Sequence, residues 1–124
     1  MNMNDLRKAV DTFVESSGDG AIVTTDLFDS FSGMTIAGFN SNPTSSALFN
    51  GIYNQLLESL GNSGFPDQLK YYYLYLENDQ IVIVGQVKEV YRYAMIVNLK
   101  KIPLGMLLGI LLPKYLKNIE DALS

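Results

Sequence analysis

Asp26 and Asp29 stand three positions apart behind an apolar run, and closely spaced carboxylates are the residue types of general acid/base chemistry or of cation binding. Their neighbours complete neither. No third acid follows at cation-binding spacing, and Ser30, Ser32 and Gly33 are turn formers, so the pair reads as a solvated loop without a role. Ser30, Ser32, Ser45 and Ser46 have no histidine anywhere in the chain to activate them, and none sits in G-x-S-x-G. Gly18-Asp19-Gly20 is a two-glycine turn, not a P-loop or a dinucleotide fingerprint. With neither histidine nor cysteine, the commonest proton shuttle, thiolate nucleophiles, zinc clusters and disulfides are all missing. The expectation is a protein without enzymatic activity, metal or cofactor.

Four of the 8 tyrosines crowd into Tyr71-Tyr72-Tyr73-Leu74-Tyr75. Such a cluster is either a stacking platform for bases or a strand whose amphipathic rings lie under a helix or at a partner surface. The charge decides. The chain carries 13 acids against 9 bases, a net of −4, and only Lys70 adjoins the tyrosines. A phosphate backbone needs clustered cations, and the doublet Lys100-Lys101 is a solvated turn at a strand end, so no nucleic-acid partner is expected. The longest apolar run, Ile102 to Leu112, falls well short of the roughly 20 residues a membrane span requires. Met1 to Val14 shows no basic region leading into an apolar run, so no secretory signal is read and a cytoplasmic setting is expected.

These residues are positioned by a chain that should fold. It has 124 residues, 48% hydrophobic and 18% charged, enough for one core and one domain over 1–124. Leu6, Val10, Phe13 and Val14 recur at helical spacing, with Asn4 as the expected cap. Ala21 to Thr25 has the β-branched content of a strand, and Met34 to Phe39 gives a second that pairs antiparallel with it. Asn42-Pro43-Thr44-Ser45 opens a second helix, Gly61 to Gly64 closes it, and Lys70 to Leu76, Ile81 to Val84 and Tyr91 to Leu99 follow as a three-stranded meander. Ile102 to Leu123 is the last helix, where Pro113 crowds the carbonyl of Gly109 and predicts a kink near Leu112.

Ile81 to Val84 and Ala94 to Val97 are continuously apolar, which demands cover on both sheet faces and predicts a three-layer α/β/α sandwich. The middle helix carries two adjoining stripes, Leu48, Ile52 and Leu56 beside Phe49, Tyr53, Leu57 and Leu60. Together they span about half its circumference, more than one sheet face can cover. Part of that surface needs another cover.

The order helix, two strands, helix, three strands, helix resembles the roadblock family, which includes the roadblock dynein light chain and bacterial and archaeal relatives. The resemblance is clearest in Leu69 to Leu123. Glu77-Asn78-Asp79-Gln80-Ile81-Val82-Ile83-Val84 looks like the family's turn and following strand, and Asn98 to Leu112, with Leu104-Gly105, looks like its final strand entering the last helix. Asp19 to Phe39 is similar to the opening hairpin, with a longer loop at Phe28 to Phe31.

That resemblance implies an α+β, profilin-like sandwich with a five-stranded antiparallel sheet, element order αββαβββα, the middle helix on one face and the terminal helices on the other. It also implies a homodimer through the middle helix and the strand after it, here Ser45 to Leu60 and Lys70 to Leu76. Phe49, Tyr53, Leu57 and Leu60 would then bury against the twin helix, while Tyr71, Tyr73 and Tyr75 line the joined strands. The work implied is that of a scaffold or regulator for a small Ras-like GTPase or a motor or trafficking complex. An arginine finger is not expected, since Arg7 and Arg92 are the only arginines and neither lies on an identifying motif. The alternative is a small-molecule-binding sensor domain of the same architecture, recognisable by a cavity beneath the Phe28 to Gly33 loop or the Tyr71 to Tyr75 strand.

Overall fold

A computed structural model describes residues 1–124. Helix α1, Met3–Ser17, starts two residues earlier than its pattern suggests, because the side chain of Asn2, not Asn4, accepts the Asp5 N–H as cap. Strand β1 runs Ile22–Asp29 and pairs antiparallel with β2, Thr35–Phe39. The expected strand end at Thr25 is therefore corrected by four residues, since Asp26 to Asp29 keep pairing with the central strand β5, Tyr91–Asn98. Helix α2, Pro43–Asn62, has Pro43 in its first turn and the Asn42 side chain accepting the Ser45 N–H, the arrangement proline and an Asx cap favour.

Strands β3, Tyr71–Tyr75, and β4, Gln80–Val87, complete one sheet of order β2-β1-β5-β4-β3, antiparallel throughout. Asp79 takes the left-handed φ of 60° in the β3–β4 turn, which aspartate tolerates better than most residues.

The last helix is built in three pieces: α3, Leu104–Met106; a π-helical turn, Leu107–Leu111; and α4, Leu112–Leu123. The irregularity predicted at Pro113 thus takes the form of a π turn. The wider turn ends where the missing proline N–H would leave a helical bond unmade.

Alternate strand residues divide the interior unequally. Ile81, Ile83, Met95 and Leu27 join a 19-residue cluster with α1 and α4 on one face; there Phe13 and Tyr115 stack with ring centres 4.3 Å apart. Phe28, Val82, Val84 and Ala94 point the other way and make, with Tyr53 of α2, a cluster of only 5. The terminal helices close their face of the sheet, whereas α2 covers its own thinly.

Candidate functional site

The α2 face follows from that imbalance. Only Ser46 and Tyr53 of its residues are fully buried. The Tyr53 hydroxyl donates to the Leu69 carbonyl, and Tyr72 of β3 donates to the Phe49 carbonyl at 2.8 Å. Phe49 and Leu57 pack half-buried against the small cluster, and Leu60 is half-buried. The stripe expected to meet a twin helix therefore turns toward its own sheet, most completely at Tyr53, which is 1% exposed. Packing on a sheet face draws in the stripe with the larger rings.

What remains outward is the other row. Leu48 is 61% exposed and Leu56 36%, with Ile52 half-buried between them. Beside α2 lies β3, which has a neighbour on one side only. Tyr71, Tyr73 and Tyr75 all stand exposed on the opposite sheet face from Tyr72, as expected for alternate residues. The edge carries no proline and no charge within its five residues, so none of the usual devices against strand pairing protects it.

The remaining sequence candidates separate. Asp26 is not in a solvated loop: it is 2% exposed on β1 and faces α2. Its Oδ2 accepts from the Ser46 hydroxyl at 2.7 Å and from the Asn42 N–H at 3.0 Å, so it ties the start of α2 to the sheet. The space beside it is about 10 Å³, room for a single water and not for a substrate. Asp29, an odd number of residues further along the strand, belongs to the other face, and its Oδ1 accepts from the N–H groups of Phe31 and Ser32 at 2.8 and 3.0 Å. Those bonds, that from Ser32 foremost, hold its carboxyl below the usual range. The two acids share no site.

Sequence reasoning passed over the arrangement around Arg92. It occupies the middle of the sheet on β5, opposite Gln86 and Phe28, and is 7% exposed. Nη1 donates to Asn50 Oδ1 and Asn54 Oδ1, each at 2.6 Å, and Nε donates to Gln86 Oε1 at 3.1 Å. Its Cζ lies 4.2 Å from the centre of the Tyr53 ring, within cation–π range. Burial lowers its pKa, opposed by Tyr53, and the group stays charged at neutral pH. The available signal was a basic residue inside an apolar strand, together with asparagines four apart on the helix that covers it. A cleft of about 770 Å³ opens beside Arg92, under the segment joining α2 to β3 and lined also by Leu57, Lys70 and Lys88.

No group of acids is placed to hold a metal ion. No helix is long and apolar enough to cross a membrane.

No protein-family profile matches the chain, and no curated protein matches it in sequence. Solved structures do. MglB of Myxococcus xanthus superposes with a TM-score of 0.79 at 12% identity, over 98% of this chain and 89% of that one. A Roadblock/LC7 domain from Streptomyces avermitilis gives 0.68 at 13% identity, over 94% and 96%. Profilin IA of Acanthamoeba castellanii gives 0.59 at 18% identity, over 95% and 98%. The chain has a roadblock-like fold, an α+β sandwich of the profilin-like kind whose order αββαβββα is the one its sequence pattern implies.

Proposed function

We propose that this protein is a non-enzymatic, homodimeric scaffold or regulator acting in the cytoplasm on a small Ras-like GTPase or on a motor or trafficking complex. The observation that carries the reading is the pairing of an outward apolar row on α2, Leu48, Ile52 and Leu56, with the unprotected edge strand β3. Burying a leucine fully is worth about 1.5–3 kcal/mol, and an unpaired strand edge offers main-chain donors and acceptors to a second copy. The roadblock-like fold supports the same arrangement, with two sheets joined edge to edge. Tyr71, Tyr73 and Tyr75 would line that seam, and Phe49, Leu57 and Leu60 would support the contact from beneath, with Tyr53 as its fixed base. The partner comes from the family resemblance, and a continuous sheet of two copies would present it with a broad platform.

The test is direct. Ras-like GTPases from the native cell, loaded with GDP or with a non-hydrolysable GTP analogue, are titrated with the protein and followed by calorimetry and by GTP turnover. A complex containing two copies of this chain is expected, preferring one nucleotide state. Absence of binding to every such GTPase in both states would remove the GTPase from the proposal.

A further inference from the structure

Arg92 is a buried cation held only by neutral groups. A guanidinium has five N–H donors, and three of them are taken by Asn50, Asn54 and Gln86. The two on Nη2 have no protein acceptor, and Nη2 is not among the side-chain atoms sealed from solvent without a partner. Arg92 lines the 770 Å³ cleft, the space available to those two donors.

That arrangement is costly as pure structure. Part of the guanidinium is withdrawn from water with no carboxylate to offset its charge, a cost that an apolar residue of similar volume would not carry. The ligating side chains are informative as well. Carboxylates at positions 50, 54 or 86 would neutralise the guanidinium, whereas amide oxygens fix its plane and leave its charge uncompensated. Tyr53, itself pinned through its hydroxyl to Leu69, supports the guanidinium from its ring face. The result is a rigid cation presented edge-on.

Arg92 and Lys70 line the cleft with Asp67 and Glu89, while the Lys88 ammonium donates to Ser124 Oγ at 3.2 Å, so two cations balance two acids on a protein of net charge −4. Leu57, Leu69 and Pro66 supply an apolar wall.

We propose that this cleft binds a small organic anion, a carboxylate or a phosphate ester. Its oxyanion accepts from Nη2 of Arg92, Lys70 adds charge at the rim, and the ligand's carbon skeleton lies against Leu57 and Leu69. The site shares Leu57 and Tyr53 with the support of the proposed dimer contact but does not use Leu48, Leu56 or the pairing edge of β3, so the Leu48→Glu, Leu56→Glu variant tests the dimer without touching the cleft.

Nuclear magnetic resonance of the full chain tests it, with inorganic phosphate and acetate as separate probes at constant ionic strength held by chloride. Saturable shifts are expected in the Arg92 Nε–H and in the backbone amides of 68–71 and 86–92. The tighter probe names the anion. Arg92→Lys keeps the charge and loses the planar fork, so affinity should fall roughly tenfold. Lys70→Gln, at an exposed position outside the core, should weaken binding several-fold with an unchanged spectrum; it carries the test if Arg92→Lys unfolds. Shifts that rise linearly without saturating for both probes would overturn the proposal. So would saturable shifts that folded Arg92→Lys or Lys70→Gln leaves intact.

Discussion

Asp26 and Arg92 are both charged residues set in apolar strands, and the chain treats them differently. Asp26 is engaged through one oxygen only, Oδ2 binding the Ser46 hydroxyl and the Asn42 amide while buried Oδ1 has no partner, so Asp26→Ala strands two donors at the start of α2. The expected loss is about 1–3 kcal/mol in urea unfolding, with Asp26→Asn milder because it still offers an acceptor. Gly38 sits opposite, where an added Cβ would come within 2.6 Å of Asp26 Oδ1 and 2.8 Å of the Thr25 carbonyl. Gly38→Ala should therefore destabilise by about 1–3 kcal/mol in the same measurement. Tyr72, its ring turned under α2, has a pKa pushed up to about 12 by burial. A phenol whose folded pKa is raised stabilises fully below the ordinary value of 10.0 and loses that contribution as the pH climbs through about 12. Tyr72→Phe, which cannot ionise, should lose less stability than wild type between those two pH values in denaturant titrations. None of these assignments was legible from residue type alone. A lone acid or arginine in a strand looks the same in sequence whether it is paired, solvated or poised.

The elements were far more legible, because periodicity survives without knowledge of contacts. Ile81 to Val84 and Ala94 to Val97 read as continuously apolar, and all but half-buried Ile96 are buried, on alternating faces of the sheet. The two stripes of α2 were visible at helical spacing, but spacing does not say which one meets the sheet. Side-chain size settles it in the fold: Phe49, Tyr53 and Leu57 go inward, and Leu48 and Leu56 face water. Substitutions separate the two rows. Tyr53→Asp puts a carboxylate into a site 1% exposed and should prevent folding, while Tyr53→Phe costs only the bond to Leu69, about 1 kcal/mol. Leu48→Glu and Leu56→Glu should stay within about 0.5 kcal/mol of wild type in the isolated protomer, as surface changes do. Circular dichroism melts would show the contrast. The end of β1 was misplaced for a similar reason: Asp26 and Asp29 resemble a loop by composition, and pairing with β5, and for Asp26 with β2 as well, keeps them in the strand.

At the scale of the molecule, one sheet separates a 19-residue core from a cluster of 5. The first holds the protomer together. The second leaves an apolar helical row next to an open strand edge, and a second copy is proposed to cover both. A stable interface buries about 800 Å² per partner, a demand that one helix and one strand edge acting together are suited to meet. Sedimentation of the wild type and of the doubly substituted Leu48→Glu, Leu56→Glu variant tests this most directly. A wild-type mass of two chains is expected, falling to one chain in the variant with its melting transition preserved. A wild type that sediments as a single chain at every concentration, or a variant that keeps the mass of two, would contradict it.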